Sequence, residues 1–110
     1  MPTYAYNYLL VALKNDEGQI EDGTYRLTDG ALVPVTFTRG YQVATHEVYP
    51  AGVVGLEEGD MIGVWTNAEG RVVIDFCSYI DGSEILAIAA GQAFAQDAIW
   101  DWQNLEAITL

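Results

Sequence analysis

The stretch that decides the fold is Thr24-Tyr25-Arg26-Leu27-Thr28-Asp29-Gly30-Ala31-Leu32-Val33-Pro34-Val35. An Asp-Gly pair between two runs of alternating apolar residues predicts a tight β-hairpin, because both central residues of a two-residue turn need a positive φ. Pro34 lies inside the second arm. It has no backbone N–H to give to a neighbour, which places that arm at a sheet edge or at a bulge.

The pattern continues on both sides. Upstream, residues 4–13 run unbroken in β-formers, and alternation puts Tyr4, Tyr6, Tyr8 and Leu10 on one face, which predicts a first strand. Residues 15–23 form a polar, turn-rich loop. Downstream, Gly40 turns the chain into a strand over 41–49, which Pro50 ends. Residues 51–60 read as an irregular connection into a strand over 61–66, and Asn67-Ala68-Glu69-Gly70 closes a second hairpin onto a strand over 71–80. There Val72, Ile74, Phe76 and Ile80 form the apolar face, with Arg71, Val73, Asp75, Cys77 and Tyr79 on the other.

Asp81-Gly82-Ser83-Glu84 has the character of a helix start, with Ser83 or Asp81 as cap, and predicts a helix over 83–95. Ile85, Leu86, Ala87, Ile88, Ala89, Ala90, Ala93, Phe94 and Ala95 leave it almost no polar face, so it is expected to be covered on several sides, within the fold or by another chain. Gly91 would cost about 1 kcal/mol relative to Ala at an exposed helical position, and close packing against a neighbour would account for it. Alternation returns over 98–102 and 105–110, as a C-terminal hairpin. The expectation is an α+β fold: a curled, largely antiparallel, barrel-like sheet of about seven to eight strands with one late helix. With 110 residues, 51% of them hydrophobic, and no linker-like tract, 1–110 reads as a single domain.

The net charge of −12 comes from a shortage of bases more than from an excess of acids. Lys14, Arg26, Arg39 and Arg71 are the four bases against sixteen acids, and none follows Arg71. Such a surface repels phosphate backbones and anionic headgroups, which argues against direct nucleic-acid binding and against membrane docking. It suits a cationic ligand or a basic protein partner. The segment beginning Met1-Pro2-Thr3-Tyr4 has no basic residues, and the apolar stretch over 85–95 falls short of the roughly 20 residues of a membrane span, so a cytoplasmic location is expected.

Catalytic signals are sparse. His46 and Cys77 are the single histidine and cysteine, which excludes a structural zinc site and leaves one imidazole–thiol pair to consider. Asp75 lies mid-strand, where an acid is disfavoured unless it is exposed, paired (Arg71 is on its face) or lining a cavity as a general base. Asp16, Glu17, Glu21 and Asp22 do not follow calcium-loop spacing, and Gly52, Gly55 and Gly59 do not follow dinucleotide-binding spacing. No cofactor or metal is expected.

Aromatic residues interleaved with carboxylates are the more suggestive feature. Trp100 and Trp102 share a strand face, and Trp65, Tyr79 and Glu47 could add walls to a pocket for a cationic small molecule. The expectation is therefore an interaction or binding domain without an assigned enzyme activity, self-associating as a homo-oligomer or docking on a protein partner. A cationic-ligand protein or small enzyme, and an acidic inhibitor mimicking nucleic acid, are the alternatives.

Overall fold

The computed structural model describes residues 3–110. Met1 and Pro2, the start of the segment read above for targeting signals, lie outside the described residues. In chain order the elements are β1 (Thr3–Ala5), α1 (Tyr6–Leu13), β2 (Gly23–Thr28), β3 (Ala31–Val35), β4 (Tyr41–Val48), β5 (Val53–Gly55), β6 (Met61–Thr66), β7 (Val72–Ile80), α2 (Glu84–Ala93), β8 (Ala98–Asp101) and β9 (Glu106–Thr109). One sheet has seven strands in the order β3-β2-β6-β7-β4-β8-β9, and a second pairs β1 with β5. The fold is α+β with mostly antiparallel pairing. The large sheet is open, with β3 and β9 at its edges.

The Asp-Gly hairpin forms as its residues require. Asp29 and Gly30 have φ of 51° and 78°, and Thr28 lies opposite Ala31 across the turn. Because that closing pair is hydrogen-bonded in a two-residue hairpin, bonded pairs recur at Arg26/Val33 and Thr24/Val35. Pro34, opposite Tyr25, therefore falls where a backbone N–H would point away from β2. The edge position read from Pro34 is the one that β3 occupies.

Two readings are corrected. The three-residue strand Thr3–Ala5 and a helix over Tyr6–Leu13 stand where one strand over 4–13 is expected, so the described residues form two helices instead of one late helix. Tyr6, Leu9 and Leu13, spaced three and four apart, are the buried residues of α1, and burying that set overrides the two-residue alternation of the tyrosines. Helix α1 has no side-chain cap at Ala5. Tertiary contacts hold it: Tyr6 N donates to Gly52 O at 3.3 Å, and the Tyr6 hydroxyl donates to the Val72 carbonyl. The connection over 51–60 is also more regular than expected, since Val53–Gly55 forms β5 and pairs antiparallel with β1.

By their contacts the residues fall into two units, Met1–Val35 with Glu47–Phe76, and Thr36–His46 with Cys77–Leu110. In the first, Tyr6, Leu9 and Leu13 pack with Tyr25, Leu27, Val48, Leu56, Ile62, Val64 and Ile74. Both faces of β7 are buried at adjacent positions, Val73 as well as Ile74, so its apolar face is less one-sided than alternation implied. In the second, Val43, Ala87 and Ile99 form the core, flanked by Tyr41, Ile80, Ile88, Ala90, Ile108 and Leu110.

Helix α2 starts where the sequence placed it, with Ser83 Oγ accepting from Leu86 N at 3.2 Å. Its buried residues are the small ones, Ala87 and Gly91. A Cβ on Gly91 would lie 2.6 Å from Leu110 Cδ1 and 2.7 Å from Ile99 Cγ2, which is the close approach expected of that glycine. The chain's own fold does not cover the helix on several sides: Ile85 is 81% and Leu86 63% exposed. No helix among the described residues is long and apolar enough to cross a membrane.

Gly91→Val is expected to lower stability by about 2 kcal/mol, because the added atoms have to displace Ile99 and Leu110. Urea unfolding of the variant beside the parent chain measures it. Unchanged stability would show that the helix is not seated closely on β8.

Candidate functional site

In the second unit, Tyr79, Trp102 and Phe37 meet at the turn formed by Gly40. Gly40 has a φ of +88°, and a Cβ there would lie 2.6 Å from Tyr79 Cζ, so both backbone conformation and space demand glycine. The Tyr79 hydroxyl donates to Arg39 O at 2.6 Å, and Trp102 N donates to Gly40 O at 3.0 Å. Phe37 stacks on Tyr79 at 3.9 Å between ring centroids and meets Trp102 edge-on at 5.6 Å. Trp102 in turn meets Trp100 edge-on at 6.3 Å. Four aromatic rings thus form a chain that fixes the turn.

Beside the turn lies a polar cleft of about 410 Å³ lined by Arg39, Tyr41, Asp81, Asp101, Gln103 and Asn104, with Gly40 and Gly82 completing it. Arg39 spans both oxygens of Asp81, Nε to Oδ1 at 3.0 Å and Nη2 to Oδ2 at 3.2 Å. The pair is exposed, so it orders the cleft mouth more than it stabilises the fold. Asp101 is 5% exposed. Its Oδ1 accepts from Gln103 N at 3.0 Å and Asn104 N at 3.3 Å, and its Oδ2 accepts from Asn104 Nδ2 at 2.8 Å.

Those bonds set the protonation states. The Asn104 side-chain amide, with smaller help from the Asn104 and Gln103 backbone N–H groups, outweighs desolvation and holds the Asp101 carboxyl below its usual range. Burial first, then the charges of Glu84 and Asp101, push the Tyr41 phenol up. Tyr41 is accordingly a neutral phenol at neutral pH, next to an ionised carboxylate.

A second surface feature belongs to the same unit. Ile85, Leu86, Ala89 and Ala93, at helical spacing on α2, are exposed, and Phe94 just beyond is 49% exposed. Asp81 and Gly82 of the cleft sit one turn before Ile85 in the chain, at the start of the same helix. Five carboxylates, Asp81, Glu84, Asp97, Asp101 and Glu106, accompany one guanidinium, Arg39, in this unit.

The residues nominated from sequence are divided between the two units. Asp75 accepts from Trp65 Nε1 at 3.2 Å, a cross-strand pair of the first unit. For Asp75, an ion pair with Arg71 is one of the readings open from the sequence, beside exposure and a cavity; Arg71 pairs with Glu47 at 3.1 Å. That bond is the main reason the Arg71 guanidinium is pushed further up, against a smaller opposing desolvation. His46 is exposed with Nδ1 3.1 Å from Thr45 Oγ1, and Cys77 is half-buried and outside any disulfide. Tyr79, Trp100 and Trp102 do come together, as members of the aromatic chain. Neither the cleft nor an apolar groove of about 230 Å³ along α1 and β3 is lined by His46, Glu47, Trp65, Asp75 or Cys77. Among the described residues, no three carboxylate, imidazole or thiol side chains come together as a metal site. Arg39, Tyr41, Asp101 and Asn104 were not read from the sequence, although Asp101 followed by Asn104 is the local signature of a side-chain-capped turn.

Comparison with protein families, with curated proteins and with solved structures returns no match.

The Asp101 carboxyl has a lower pKa folded than unfolded, so its stabilisation is present above the ordinary carboxylate range and is lost as pH falls through the folded value. Asp101→Asn is expected to flatten the acid side of the stability profile below about pH 4. Thermal midpoints of both proteins across that range measure it. Parallel profiles would exclude Asp101 as the responsible group.

Proposed function

We propose that this protein is a non-enzymatic interaction module that docks α2 on a protein partner presenting an apolar surface rimmed with Lys and Arg. The exposed stripe of Ile85 and Leu86 on a helix whose small residues face inward carries this reading. Burying those two side chains would contribute about 3–5 kcal/mol before the costs of association. Charge selects the kind of partner. A second copy would bring five carboxylates and one guanidinium against the same set, whereas a basic rim would meet the acids with opposite sign. The polar cleft favours a small-molecule role less, because Asp81 and Asp101 are already held by Arg39 and Asn104.

An amphipathic Leu/Lys helical peptide is a direct probe, compared on the parent chain and on an Ile85→Asp/Leu86→Asp variant. Charge attraction alone would make the more acidic variant bind more tightly. Docking on the apolar stripe predicts the opposite, a loss of at least about tenfold, since tenfold corresponds to 1.4 kcal/mol. Equal or tighter binding by the variant defeats the proposal. Sedimentation of the chain alone tests the remaining occupant: a dimer that the same variant dissolves would put a second copy in the partner's place.

A further inference from the structure

The two edges of the seven-stranded sheet are built differently. At β3 the outward backbone position opposite Tyr25 is Pro34, which has no N–H to offer, and Ala31 and Leu32 border the groove shared with α1. The edge at β9, Glu106-Ala107-Ile108-Thr109, contains no proline and no lysine.

The direction of each backbone group in β9 follows from the ladder. β8 and β9 pair antiparallel, with Asp101 opposite Glu106, Trp100 opposite Ala107, Ile99 opposite Ile108 and Ala98 opposite Thr109. Leu110 N donates to Asp97 O at 2.9 Å, so hydrogen-bonded pairs fall at 97/110, 99/108 and 101/106. The other side of β8 agrees, since Trp102 N donates to Gly40 O and so turns the backbone of residues 100 and 102 toward β4. Ala107 and Thr109 consequently turn their N–H and C=O groups away from β8, and both residues are exposed.

Side chains on this edge add chemical preference. Ile108 packs with Ala87 and Ile99, so the opposite face carries Ala107 next to Trp100. Trp100 is 36% exposed, and only the methyl of Ala107 stands between its strand and the open edge. A strand added to β9 would set a side chain beside Ala107, within reach of the Trp100 indole. Asp101 and Glu106 alternate onto the opposite face with Ile99 and Ile108, so the Trp100 indole is the group that favours a cation beside Ala107, within a unit of five carboxylates and one guanidinium.

We infer that β9 is a strand-addition site, pairing through Ala107 and Thr109 with an extended segment of a protein partner that alternates Lys or Arg with β-branched residues. This inference rests on the interaction-module reading and adds a second contact to the same unit. Backbone hydrogen bonds supply the pairing, and the cation over Trp100 supplies the preference for a basic segment.

The test uses the full chain and a capped peptide of alternating Lys and Val, together with the same peptide N-methylated at every amide. The parent chain is expected to bind the unmethylated peptide at least about tenfold more tightly than the methylated one, the loss of one or two net hydrogen bonds. Ala107→Pro removes only an outward N–H, as Pro34 does in β3, and is expected to leave the β8–β9 ladder in place while weakening the peptide by at least about tenfold. The Ile85→Asp/Leu86→Asp variant is expected to bind this peptide as well as the parent does. Equal affinity for both peptides, no binding at millimolar concentration, or full binding by folded Ala107→Pro overturns strand addition. Loss confined to the α2 variant also overturns it, while leaving the interaction-module reading intact. If Ala107→Pro does not fold, the methylated peptide on the parent chain decides.

Discussion

The close seating of α2 across Gly91 determines what the second unit can bury. With no Cβ at Gly91 and only a methyl at Ala87, the helix settles against Ile99 and Leu110, and Val43 is buried completely beneath it. That geometry spends the small residues of the helix on the core. Ile85 and Leu86, which an ordinary amphipathic helix would turn inward, are left on the outer side. The same contact holds Leu110 at the end of β9, so it also keeps the sheet edge in place.

Sequence reading succeeded where one residue type has a backbone consequence. Asp29-Gly30 needs positive φ values and has them, Pro34 needs an edge and lies on one, and Ser83 needs an N–H three residues on and finds Leu86. It failed over residues 6–13, where Tyr6, Tyr8 and Leu10 satisfy a strand period while Tyr6, Leu9 and Leu13 satisfy a helical one. Over eight residues the two periods compete, and the outcome depends on what Tyr6 reaches, the carbonyls of Gly52 and Val72, both far along the chain. Helix α2 shows the complementary limit. Its lack of a polar face was legible, but which apolar residues face inward depends on how near Ile99 and Leu110 come.

The polar cleft was illegible for a similar reason. Its walls come from 39–41, 81–82 and 101–104, segments joined when β4 pairs with β8 through Tyr41/Asp101 and Gln42/Trp100. No spacing in the sequence announces that register. Of the aromatic residues grouped from the sequence, Trp65 belongs with Asp75 in one unit and Trp100 with Trp102 in the other. Arg71 pairs with Glu47, far before it in the chain, a partner that composition does not encode.

How the carboxylates are satisfied gives the acidity its physical meaning. Where a guanidinium serves a carboxylate, as in Arg39 with Asp81 or Arg71 with Glu47, charge is cancelled locally. Asp101 and Asp75 are served instead by an amide, backbone N–H groups and an indole, and Asp60 by the N–H of Glu57. Neutral donors hold a carboxylate in place without reducing its charge. A chain with four bases must satisfy its acids in this way, so folding fixes the positions of the negative charges while leaving their field almost whole. That field acts at long range and falls with salt, drawing in cationic surfaces before any contact is made. In the docking we propose, an apolar helix face and a sheet edge of the same unit would supply the short-range contacts that charge alone does not.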